Sequence, residues 1–442
     1  MERMRSADSP SHLRSQIRDE VMGLWALDAH EHLHFPDQHA EHANDCFYLT
    51  NHYLNADLVS AGMPEETMQR LVDPSVPLDL RWMAFEPFWE VSRTTGYGQA
   101  VERAVRDLYG LPGLTASTYQ ELSLRVAETA GEVSWYEQVL KRNGRFIASL
   151  MDVGSTRGDR RYFLPVMRVD RFIVAGKPSE FADAVTNGPS DGRDAPANMA
   201  AYLKALDDLL GAYRSEGMIA LKCGLAYRRS LRFETVDWAT ASSLYDQALR
   251  GGLSPSDAGP LQDFLFHEVC DRASALHLPY QVHTGLQAGN WGADIAITNP
   301  AFLTNTLKAH PGTTFDLFHG GYPYGGELAS LAKNFPNAYI NACWLAIISP
   351  TVLRRCLHEW LDTVPHNKIQ AFGGDYRMPE LAYAHGQMAR EAVADVLADR
   401  VEAGWLAEAD ASALANRLLR DNGLKLFAID DEFVKSATAP IG

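Results

Sequence analysis

Short apolar runs recur along this chain, and several end on a histidine, lysine or aspartate next to glycine. Met22, Leu24, Trp25, Ala26 and Leu27 lead into Asp28-Ala29-His30-Glu31-His32. Met218-Ile219-Ala220-Leu221 leads to Lys222, Pro279-Tyr280-Gln281-Val282 to His283, and Phe315-Asp316-Leu317-Phe318 to His319. Ile369-Gln370-Ala371-Phe372 runs through two glycines to Asp375. Three further runs fill the series: Arg145 to Met151 with Asp152 after it, Tyr162 to Met167 ahead of Arg168, and Ala338 to Cys343. Runs of this length between turn residues read as strands buried on both faces, the habit of parallel sheets. Amphipathic stretches near 196–215, 259–277 and 380–400 read as helices between or after them. Alternating strands and helices with polar residues at the strand ends predict an α/β fold, a (β/α)8 TIM barrel, with its active site at the C-terminal strand ends.

One region breaks the alternation. Residues 37–142 carry helical periodicity and many aromatics, Phe47, Tyr48, Tyr53, Trp82, Phe85, Phe88, Trp89 and Tyr97 among them, but no convincing parallel strand. The pattern predicts a helical insertion after strand 1, serving as a lid. The chain then divides into 1–36 (N-terminal segment and strand 1), 37–142 (insertion) and 143–442 (remainder of the barrel and C-terminal helices). Residues 188–192 read as a loop.

Charge narrows the partners. With 40 basic against 56 acidic residues the formal net charge is −16, which argues against nucleic acid and anionic membranes. No apolar run reaches membrane-spanning length, and the first eleven residues lack a signal-peptide core. Five cysteines without close pairs fit a reduced, cytoplasmic protein. The expected partner is a small-molecule substrate, and the sequence is compatible with a homo-oligomer.

The chemistry begins with His30 and His32. Residues i and i+2 of a strand share a face, so both imidazoles could hold one cation, and imidazole suits zinc, iron, nickel or copper. A site needs three or four such ligands. His283, His319 and Asp375 are candidates to complete it; the bland alternatives are a core histidine and a helix-capping aspartate. Arg168 and Arg228 are candidate carboxylate clamps, because guanidinium binds carboxylate bidentately, with structural salt bridges as the competing reading. Tyr322 contacts substrate or simply packs. Glu380, His385 and Arg390 read as braces of the last barrel helix through contacts one turn apart.

The ordered set His30, His32, Lys222, His283, His319 and Asp375 resembles the amidohydrolase superfamily of metal-dependent barrel enzymes. Gln281-Val282-His283-Thr284-Gly285, Leu221-Lys222 with Ala226-Tyr227-Arg228, and His319-Gly320-Gly321-Tyr322-Pro323 look like its amidohydrolase-2 branch, found fused to glutamine-synthetase-like domains. The His52-Tyr53 element, the long insertion and Arg168 are also similar to uronate isomerases of the same superfamily. The resemblance implies hydrolysis of a C–N, amide-type bond in a small polar, carboxylate-bearing substrate. It implies metal ligation by His30, His32, His283 and Asp375, with Asp375, His319 and Lys222 catalytic. The expected ion is zinc, with manganese as second choice. In two-metal relatives the strand-4 lysine is carbamylated to bridge the ions. Two dications need a bridging anion, and no acid adjoins Lys222, so one ion and an unmodified lysine are expected. The alternatives are a sugar-acid isomerase and a metal-dependent non-oxidative decarboxylase.

Overall fold

A computed structural model describes residues 10–186 and 192–439. The loop expected at 188–192 and the N-terminal tail up to residue 9 lie outside the described residues, apart from Gly192. Eight parallel strands run in the order β1 to β8: β1 Ala26–Glu31, β2 Phe146–Met151, β3 Phe163–Arg168, β4 Ala220–Cys223, β5 Tyr280–Val282, β6 Phe315–Leu317, β7 Ala338–Asn341 and β8 Ile369–Gln370. This is the expected (β/α)8 barrel. Beyond the end of β8 the chain is laced to β1: Asp375 N donates to His30 O at 2.9 Å, His32 N to Tyr376 O at 3.0 Å and His34 N to Arg377 O at 2.8 Å.

The strands are buried along nearly their whole length, as crossover helices on the outer face require. Helices such as Met199–Ser215 and Pro255–Ala275 cover them, the first capped by Asn198 and the second by Ser254. The barrel interior has two halves. Leu27, Ala29, Ala148, Leu150, Leu164, Val166 and Ala220, from β1 to β4, form an apolar cluster closed by Phe427 from the C-terminal segment. In β5, β6 and β8, Gln281, Asp316 and Gln370 are buried instead, with Asn341 of β7 beside them, where branched apolar side chains dominate most barrels.

Between β1 and β2 the chain is helical, with no strand among its residues: Pro36–His42, Leu54–Ser60, Glu65–Leu71, Leu78–Ser92, Gly96–Tyr109, Tyr119–Thr129 and Val133–Tyr136. Its aromatics pack on one another, for example Trp82 stacked on Tyr119 at 4.6 Å and Phe85 on Trp89 at 5.7 Å. Glu380 and His385 depart from the expected one-turn contacts, and Arg390 makes one but also reaches beyond it. Glu380 accepts from Tyr109 Oη and Trp135 Nε1 of the insertion, His385 Nδ1 meets Gly374 O, and Arg390 donates to the carbonyls of Leu24 and Gly144 as well as to Gly386 one turn away. Their helix is buried on most sides, so its polar groups find partners on other elements.

Candidate active site

A cavity of about 440 Å³ opens at the C-terminal strand ends, lined by residues from both barrel and insertion. His30 sits within β1 and His32 just beyond it. Their rings are 4.9 Å apart and nearly perpendicular. His30 Nδ1 faces Gln281 Oε1 at 3.2 Å and His32 Nδ1 faces the carbonyl of Asp152 at 2.6 Å. Both Nδ1 atoms are therefore donors, and both Nε2 atoms are left to face the cavity. Those Nε2 atoms converge on Asp375 Oδ1, at 3.6 Å from His30 and 3.2 Å from His32. Two oriented imidazoles and a carboxylate are a donor set for a divalent transition ion, so the residues present fit the expected metal.

Asp375 reaches this place through an uncommon backbone. Its φ is +66°, and that of His319 is +61°. Each left-handed non-glycine residue costs on the order of 1–3 kcal/mol and persists only where its surroundings dictate it. Around Asp375 they do: Gly374 N donates to Asp28 Oδ1 at 2.9 Å and Tyr376 N to Glu31 Oε2 at 2.6 Å. A Cβ on Gly374 would lie 1.7 Å from Glu31 Oε1, so only glycine fits there. Burial raises the pKa of Asp375, but the hydrogen bond and charge of His32, with those of His30 and His319, outweigh it and hold the carboxyl well below its ordinary range. Its second oxygen accepts from Tyr53 Oη at 2.6 Å.

The facing wall has a different character. Lys222 is 2% exposed, and its Nζ lies 3.4 Å from the centre of the Phe318 ring. Burial pushes its pKa down to about 8. His283 Nε2 meets Leu286 O at 2.7 Å, His319 Nδ1 meets Cys343 O at 3.0 Å, and the remaining nitrogens, His283 Nδ1 and His319 Nε2, face each other at 2.9 Å. Carbonyls only accept, so Nε2 of His283 and Nδ1 of His319 carry protons. With both rings neutral, two lone pairs then oppose each other; a further proton, or a cation drawing one of the rings, completes the pair. Burial, which pushes His319 down to about 4 and His283 well below its ordinary range, works against the proton. Among the described residues, the groups close enough to share an ion are His30, His32 and Asp152, and His319, Cys343 and Asp375.

Arg168 lines the cavity, but its Nε donates to Asp152 Oδ2 at 2.9 Å and its Nη2 to the same oxygen. Among the described residues, the cavity guanidinium without a hydrogen-bond or ion-pair partner is Arg377, which is exposed and was not singled out from the sequence. Arg228 is not among the cavity residues: it lines a separate depression with Arg171 and Glu180. Tyr322 is likewise absent from the cavity lining and packs against the core. Its carbonyl would lie 2.2 Å from a Cβ on Gly285, which has φ +75°. Asp152 and Tyr53 also line the cavity; the sequence reading noted Asp152 after strand 2 and the His52-Tyr53 element but gave neither side chain a role. Asp152 stands 3.8 Å from His30 Nε2, and the strand-end rule that found Asp375 finds it too. Tyr53 had no such signal beyond its place beside His52, because 322 positions separate it from Asp375.

Comparison with known proteins agrees with this picture. Residues 242–429 match a family model described as Amidohydrolase. The protein fluG of Emericella nidulans is 28% identical over 182 residues, a match covering 39% of this chain and 20% of that protein. The uronate isomerase of Thermotoga maritima has an 18% identical chain with a TM-score of 0.77, covering 96% of this chain and 100% of that one. The glucuronate isomerase of Caulobacter crescentus gives 18% identity and a TM-score of 0.77, over 97% and 96% of the two chains. The likeness to uronate isomerases thus holds for the fold along nearly the whole chain, and the likeness to an amidohydrolase for the sequence of residues 242–429.

Proposed function

We propose that this amidohydrolase-like barrel is a metal-dependent hydrolase that cleaves an amide-type C–N bond in a small substrate bearing a carboxylate. The observation that carries the reading is the convergence of the His30 and His32 Nε2 atoms on Asp375 Oδ1. A divalent ion held by His30, His32 and Asp375, zinc before manganese, supplies Lewis acidity and lowers the pKa of water. Asp375, anionic through the neutral range, takes the proton of the attacking water and yields it readily to the departing nitrogen. Tyr53, whose pKa burial raises well above the ordinary value, stays a phenol and holds Asp375 Oδ2 in place. His319, backed by His283, and Lys222 face the position where negative charge develops on the carbonyl oxygen. Arg377 offers an unpaired fork to the substrate carboxylate. The insertion acts as a lid, supplying His52 and Tyr53 from the turn ahead of the helix Leu54–Ser60.

Metal analysis of chelator-free protein, followed by a panel of N-acyl amino acids, tests this. About one ion per chain and release of the free amino acid are expected. Protein that stays fully active after metal removal would refute it. A second reading, isomerisation of a sugar acid, is favoured by the whole-chain fold likeness to uronate isomerases. Turnover of hexuronates, with the amide panel inert, would select it.

A further inference from the structure

The polar half of the barrel interior reaches the site through one side chain. Asp316 is fully buried, and three amides from three other strands point at it. Gln281 Nε2 lies 3.2 Å and Asn341 Nδ2 2.9 Å from its Oδ2, and Gln370 Nε2 lies 2.7 Å from its Oδ1. Gln281 Nε2 also donates to Ala29 O at 3.0 Å. Both partners of that nitrogen are acceptors. Turning the Gln281 amide over would set its oxygen against a carboxylate and a carbonyl, two repulsive contacts in a buried place where each unpaired group costs about 1–3 kcal/mol. The amide oxygen must therefore face the other way, toward His30 Nδ1 at 3.2 Å, and an oxygen there compels a proton on Nδ1.

We propose that Asp316 and Gln281 are positioning residues: by locking the Gln281 amide they hold His30 as its Nδ1–H tautomer, with the Nε2 lone pair turned to Asp375. The need for such a lock is visible on the other side of the ring. Asp375 and Asp152 carboxylate oxygens lie 3.6 and 3.8 Å from His30 Nε2, and without Gln281 they would draw the proton to Nε2 and spoil the ligand. Asn341 extends the lock toward the facing wall. Its Oδ1 accepts from Cys343 N at 2.9 Å, and the carbonyl of Cys343 faces His319 Nδ1. One buried carboxylate thus orients polar groups behind histidines on both walls.

The ligand role of that lone pair rests on the metal-site reading above, but the tautomer does not, so the two can fail separately. The test uses metal-stripped full-length protein carrying isotope-labelled histidine, with the His30 signals assigned through His30→Gln. It is run at about pH 8, because burial pushes Asp316 up to about 7. Two-bond nitrogen–proton spectra are expected to show His30 as Nδ1–H. In Gln281→Leu, which removes the acceptor with little change of shape, the ring is expected to switch to Nε2–H. Zinc affinity, by competition with a chromophoric chelator, is expected to fall about 10- to 100-fold. Asp316→Asn, which retains the polar shape, gives a mixture of tautomers and a smaller loss, and keeps the test alive if the leucine variant does not fold. An Nε2–H ring in the unsubstituted protein overturns the proposal, as do substituted proteins with tautomer and zinc affinity unchanged. An Nδ1–H ring in a protein that binds no zinc supports the lock and removes the metal reading alone.

Discussion

The two walls of the cavity are both built from buried histidines, yet they are prepared for opposite charges. On the β1–β8 wall, His30 and His32 each have Nδ1 committed to an oxygen, and carboxylates stand within 3.2 to 3.8 Å of their Nε2 atoms. Ring nitrogens and carboxylates gathered together invite a cation. On the β4–β6 wall, the nearest neighbours of His283 and His319 are each other, two carbonyls and aromatic rings, with Lys222 across from them. Among the described residues none of these groups has a carboxylate in hydrogen-bond contact, although Asp375 lies close enough to His319 and Cys343 to share an ion with them; Lys222 inclines this wall toward an anionic or polarised substrate atom. Under the proposed function, identical residue types divide into metal-holding and substrate-facing roles through what lies behind them.

The sharpest way to break this division is Asp375→Asn, which removes the carboxylate that both Nε2 atoms face. Zinc affinity is expected to fall by about 100-fold or more, beyond the usual loss for an outer-sphere partner, with turnover abolished; equilibrium dialysis and the amide panel measure both. His319→Asn should act on the other wall alone. Metal content stays near the unsubstituted value while kcat drops by about 100-fold or more, the scale of a lost acid–base or polarising group. Equal loss of metal in this variant would mean that the walls share the ion.

Arg377→Met should raise KM for carboxylate-bearing substrates by a factor corresponding to about 1.5–3 kcal/mol. Steady-state kinetics against a neutral amide analogue would show no such penalty. Arg168→Lys, at a guanidinium already tied to Asp152, is expected to have the smaller effect on KM.

The mildest prediction concerns Lys222, whose folded pKa of about 8 lies below the ordinary 10.5 because burial penalises its charge. Between those values the unfolded chain binds a proton that the folded protein does not, so stability rises with pH. The penalty is fully present below about 8 and fades as the pH approaches 10.5. From pH 8 to pH 10 the unsubstituted protein should gain about 2 kcal/mol relative to Lys222→Met, read from urea unfolding of the pair at each pH. Curves that stay parallel would show that Lys222 is not desolvated.

The strand-end pattern determined much of this protein. Apolar runs stopping at His30, Lys222, His283, His319 and Asp375 encode the barrel and most of the cavity lining, because burial on both faces leaves a parallel strand free to carry polar chemistry only at its end or toward the barrel axis. The helical insertion was legible for the same reason: it lacks such runs. Arg168 and Arg228 looked alike in the sequence, each a candidate carboxylate clamp or a structural salt bridge. The tertiary structure separated them, tying Arg168 to Asp152, sending Arg228 to another depression, and leaving Arg377 as the cavity guanidinium unpaired among the described residues. Tyr53 came to Asp375 only through the packing of the insertion. The buried Gln281 and Asp316 read as ordinary strand positions until their hydrogen bonds showed what stands behind His30. Local periodicity records which face of a strand is buried; it carries no record of which distant donor meets which acceptor, and that pairing decides tautomer, charge and role.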